Sequence, residues 1–93
     1  SMIDINAARD IALSKMSDKS FFDFCTEYEN AFVFSKYDDM SIGGNGPCAV
    51  MKSDGSALNF AAVLDEIGDE LHDYKMSLDG KFTEIPIEQF DGD

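Results

Sequence analysis

Basic residues are scarce in this sequence. Seven lysines and arginines stand against nineteen aspartates and glutamates, a net charge of −12 over 93 residues. Nucleic acids and anionic membrane surfaces repel such a chain, so the balance argues against both as partners and favours basic ones. Long apolar runs are missing too: none approaches the ~20 residues that span a bilayer. The N-terminus lacks the basic-then-apolar order of a signal peptide, and Ser1 ahead of Met2 reads as a scar of tag removal. Cysteine is limited to Cys25 and Cys48, without metal-ligand spacing, so reduced thiols and a cytoplasmic location are expected. His72 is the one histidine, which leaves no zinc set and no cofactor expected.

What is present suits one small domain over 1–93, with 91–93 expected to fray. Apolar residues make up 44%, and with the seven glycines the chain falls in the ordinary globular range, enough to offset chain entropy.

The pattern from Ile3 to Lys19 predicts a helix. Ala8, Ile11, Ala12 and Met16 form one apolar stripe, Ile5 joins it a turn earlier, and Asp4 or Asn6 caps the start; Arg9, Asp10 and Lys15 face water. Residues 20–28 and 31–37 read as two aromatic-rich strands around the polar link Glu29-Asn30, an antiparallel hairpin whose aromatic parities stack against the helix. Residues 38–47 are a loop with three glycines, an asparagine and a proline at their end. Cys48 to Lys52 is a third strand, Ser53-Asp54-Gly55 a tight turn with Gly55 at positive φ, and Ser56 to Phe60 a return. Phe60 to Tyr74 is predicted as a second helix: Phe60, Val63, Leu64, Ile67 and Leu71 share one stripe, and Gly68 is its weak spot. After a turn at Asp79-Gly80, residues 81–87 form an edge strand limited by Pro86. The fold class is therefore α+β, a small antiparallel sheet of three to five strands with two helices packed on it. Its core is Ala8, Ile11, Ala12, Met16, Phe22, Phe24, Phe32, Phe34, Val50, Leu58, Val63, Leu64, Ile67 and Leu71.

Catalytic and metal motifs fail one by one. Neither cysteine is followed by a positioned base. With nineteen acids, any pair at glycosidase separation carries no information. Asp54-Gly55-Ser56 is not a calcium loop, because Lys52 and Val50 stand where acids belong and Ala61 where a glutamate belongs. The glycines at 43–46 have no Lys-Ser/Thr after them and open no helix, so they make no phosphate cradle; as a loop they remain a place for binding residues. The feature that stands out is the polar face of the second predicted helix. Asp65, Glu66, Asp69, Glu70 and Asp73 recur at i, i+3 and i+4, where like charges destabilise a helix by a few tenths of a kcal/mol per pair. A solvated face that keeps the protein soluble is one explanation. A docking surface for a basic protein, aided by Asp38 and Asp39 of the loop, is the other, and it predicts fast, salt-sensitive association.

The run Phe32-Val33-Phe34, then Gly44-Asn45-Gly46-Pro47-Cys48-Ala49-Val50, then Lys52-Ser53-Asp54-Gly55, then Leu64 to Tyr74, resembles the immunity protein 35 family over about residues 3–75. The Gly-Asn-x-Pro element with the Lys-x-x-Gly turn is its most specific part, and gives Gly44, Asn45, Pro47 and Gly55 a structural role; Phe32 stands where the family carries a tryptophan. The resemblance implies a small cytoplasmic bacterial α+β protein, encoded beside a polymorphic toxin gene, which binds and neutralises that toxin without catalysis. A chaperone-like or adaptor module that exposes the aromatic hairpin is the alternative.

Overall fold

The structure is a computed structural model and describes residues 2–15, 22–36 and 47–86. Met16, Asp38, Asp39, Gly44, Asn45, Ile87 and the 91–93 tail lie outside the described residues. The architecture is α+β: helix α1 (Ile5–Lys15) and strands β1 (Phe24–Tyr28), β2 (Ala31–Ser35), β3 (Cys48–Met51), β4 (Ala57–Asn59), β5 (Glu70–Met76) and β6 (Phe82–Ile85). All six strands belong to one antiparallel sheet in the order β4-β3-β2-β1-β5-β6.

Local chemistry sets the first elements as the sequence predicts. The Asp4 carboxylate accepts from the Ala7 backbone N–H at 2.9 Å, capping α1. Ala8 and Ala12 are fully buried under the helix, with Ile5 and Ile11 packed beside them. Arg9 does not simply face water. Its guanidinium donates to the Gly80 carbonyl at 2.6 Å and lies 5.9 Å from the Phe82 ring centroid, tying α1 to the β5–β6 hairpin. The Gly55 turn has φ +74° and sits under Ile11.

The register corrects the expected stacking. Cys25 faces Phe34, and Glu27 faces Phe32, so β1 presents Cys25 to the α1 side while Phe24, Thr26 and Tyr28 point the other way. One core layer is therefore Ala8, Ala12, Cys25, Phe32, Phe34 and Val50 under α1. The second is Ala31, Val33, Ala49, Val63 and Ile67 on the opposite face, covered by the segment 60–69.

The main correction is there. Residues 60–74 are not a second helix, and among the described residues the sheet has six strands rather than three to five. Phe60–Val63 form a short 3-10 turn capped by the Asn59 side chain, which accepts from the Ala61 N–H. The chain then crosses the sheet and enters β5, between β1 and β6. Two forces act against a helix: five carboxylates within nine residues repel at helical spacing, and Gly68 adopts φ +83°. Two expected core residues consequently emerge, Leu64 at 52% exposure and Leu71 at 41%, while Leu58 is 42% exposed because β4 is an edge strand. The last strand is correspondingly short, ending at Ile85 before Pro86.

Gly68 is also held close to a neighbour. A Cβ there would come within 2.9 Å of the Glu29 Cβ and collide with Glu29 Oε1. Gly68→Ala is therefore expected to cost about 2 kcal/mol through left-handed strain together with displacement of Glu29. A lower urea midpoint with unchanged slope is the measurement that checks it.

Candidate functional site

The acids singled out in the sequence gather at the end of the sheet where the β1–β2 turn and the start of β5 meet. Main-chain bonds fix this end. Glu29 N–H donates to the Asp69 carbonyl at 3.0 Å and Asn30 N–H to the Ile67 carbonyl at 2.9 Å. The Asn30 side-chain amide donates to the Glu66 carbonyl at 2.9 Å, and the Glu29 carboxylate accepts from the Asp69 N–H at 3.2 Å. Asp65, Glu66 and Asp69 thus project from a turn anchored by its backbone, with their side chains exposed. Glu29 adds a sixth carboxylate. Spacing gave no hint of it, because it lies 40 residues from its partner Asp69.

Glu70 and Asp73 are brought together by a defect in the sheet. Between Glu27/Tyr28 on β1 and His72/Glu70 on β5 the register slips, so that β5 spends one extra residue, Leu71. In a regular strand, residues three apart point to opposite faces. The bulge instead turns Glu70 to the side of Tyr28 and Asp73. Asp73 Oδ1 is buried, and no backbone or neutral side-chain donor among the described residues reaches it. The Glu70 carboxyl is pushed up to about 7, first by its hydrogen bond to the Asp73 carboxylate, then by burial and by the Asp73 charge. Burial, with the charges of Glu70 and Asp73, pushes the Tyr28 phenol up.

The α1 side of the same sheet end carries a separate polar row. Lys52 Nζ pairs with Glu27 Oε2 at 2.6 Å and lies 4.9 Å from the Phe32 ring centroid. The Tyr74 hydroxyl lies 3.4 Å from the other Glu27 oxygen, and His72 Nδ1 meets Glu84 Oε2 at 2.6 Å across β5 and β6. Lys52 is 8% exposed, so its pair with Glu27 serves the core; the His72–Glu84 pair is about half exposed.

The remaining predicted positions have structural surroundings. Pro47 is buried and its carbonyl accepts from Phe60 N–H at 3.0 Å, joining the start of β3 to the crossover. Gly55 forms the β3–β4 turn, where the Asp54 carboxylate accepts from Ser56 N–H and is held below its usual range by it. Cys25 and Cys48 are free thiols, and burial pushes both up, away from the thiolate that nucleophilic chemistry needs. Among the described residues no group of three histidine, cysteine or acidic side chains is arranged to hold a metal ion, and no helix is long and apolar enough to cross a membrane. Comparison of the chain with protein-family models, with curated proteins and with solved structures gives no match.

Proposed function

We propose that the chain is a non-catalytic binding protein that docks a basic protein partner on its acidic sheet end, and that the partner is a toxin domain which it neutralises by occluding the toxin's active surface. The resemblance to the immunity protein 35 family supplies the class of partner. The observation that carries the docking surface is the convergence of Asp65, Glu66, Asp69, Glu70, Asp73 and Glu29 on one anchored turn and strand start. The backbone bonds hold these carboxylates in place before any encounter, so a partner's lysines and arginines meet a preformed field. The quiet thiols supply no nucleophile to an enzymatic reading. The chaperone-like alternative draws on an exposed aromatic hairpin, and Phe24, Phe32 and Phe34 are at most 7% exposed, so that surface lends it nothing.

The test is charge reversal at Asp65, Glu66 and Asp69, the three whose side chains leave the Tyr28 contact untouched. Against the toxin domain encoded by the neighbouring gene, the triple lysine variant is expected to associate at least ~10-fold more slowly, with a flatter dependence on salt. An association rate equal to that of the unaltered chain, with the fold intact by circular dichroism, ends the reading.

A further inference from the structure

We propose that Glu70 and Asp73 share one proton, and that releasing it loosens the start of β5 and the acidic turn that leads into it, a pH-operated latch built on the Leu71 bulge. The inference concerns the isolated chain and stands apart from any toxin partner. Three observations meet in it. The bulge places two carboxyl groups on one face that a regular strand would separate. Asp73 Oδ1 is buried without a donor among the described residues, and a buried acceptor of this kind calls for a proton from its neighbour. The turn ahead of Glu70 is held to the β1–β2 turn by a few bonds among the described residues, of which Glu29 N–H to the Asp69 carbonyl and Asn30 N–H to the Ile67 carbonyl are the main-chain pair.

The groups around the pair come from every side. Tyr28 on β1 stands opposite Glu70, and Thr26 opposite Asp73, with Glu29 just beyond the strand end. Ile85 of β6 flanks Asp73 on its other side. Asp69 precedes Glu70 on the crossover, and Lys75 follows Asp73 along the same face of β5. The acidic neighbours oppose a second negative charge. With the proton present, Glu70 donates to Asp73 and the bulge is closed by a charge-assisted hydrogen bond. With it gone, two carboxylates abut and the strand start is pushed apart.

The sign follows from linkage. A carboxyl raised in the folded state contributes stability that is complete below its unfolded value, the ordinary 4.5, and is lost as pH rises through about 7. The unfolding midpoint of the wild-type chain therefore falls across that window, whereas Glu70→Gln, whose amide donates permanently, holds its midpoint level.

The decisive experiment follows the Glu70 side-chain carboxyl carbon by NMR in the full chain, from about pH 4 to about pH 9, alongside amide exchange of Glu29 and Asn30. The experiment is run in a His72→Gln background, which takes out the sequence's one histidine. The expected result is a Glu70 midpoint near 7 that drops toward the ordinary glutamate range in Asp73→Asn. The two amides are expected to lose protection several-fold beyond the intrinsic pH effect, in the parent but not in Glu70→Gln. A Glu70 midpoint in the ordinary range overturns the shared proton. A high midpoint with amide protection indifferent to it overturns the latch.

Discussion

Phe34→Ala is expected to destabilise the protein by about 4 kcal/mol, a large part of what a domain of this size possesses. Phe34 is fully buried, and it is the hub of the layer beneath α1. Its ring centroid lies 6.0 Å from that of Phe22 and 6.5 Å from that of Phe82. It also stands in register between Cys25 and Cys48, with β1 on one side and β3 on the other. Truncation opens a cavity that three strands and the helix border together, and none of them can move in to fill it without breaking ladder hydrogen bonds. Urea unfolding reads the loss as a lower midpoint. Phe34→Leu, which keeps most of the volume, is expected to recover more than half of it.

Lys52→Met is expected to cost about 3 kcal/mol, and the double change Lys52→Met with Glu27→Gln to bring stability back within about 1 kcal/mol of the starting protein. The asymmetry arises because both side chains are largely withdrawn from water, at 9% and 19% exposure. Removing the ammonium strands a carboxylate beside Phe32 and Tyr74, whereas removing both charges leaves a neutral amide near the Tyr74 hydroxyl. A thermal or urea comparison of the two single variants and the double variant measures the coupling directly. Additive costs would mean that the pair behaves like an exposed surface bridge worth little.

Legibility in the sequence follows the range over which each element is determined. Helix α1, the hairpin of β1 and β2, and the Gly55 turn are local products: an Asp4 cap, a strand parity and a glycine at positive φ each act within a few residues. The stretch 60–74 was misleading for a definable reason. Val63 and Ile67 are four apart and both buried, as a helix would have them, but they are buried because a crossover lays them on Ala31, Val33 and Ala49. Residues 70–76 alternate without a clean apolar face, and become a strand because β1 has an open edge beside which they fit. The acids of the candidate site were visible as a cluster, and the structure keeps Asp65, Glu66, Asp69, Glu70 and Asp73 at one end of the sheet, although not on a helix. Glu29 and the convergence of Glu70 with Asp73 were invisible, since the first depends on a contact 40 residues away and the second on a bulge.

The strand order also dictates when the parts of the sheet can meet during folding. β1 to β4 form a run in which each strand lies beside its predecessor, although the connection from β2 to β3 is the longer one. β5 is different: it must return to β1, past three strands already in place, before β6 can add to it. Closing that long loop has an entropic cost that is met before its contacts form. The crossover that carries the acids is thus the strap of the molecule, the one stretch of chain that ties β5 and β6 to the four strands before them.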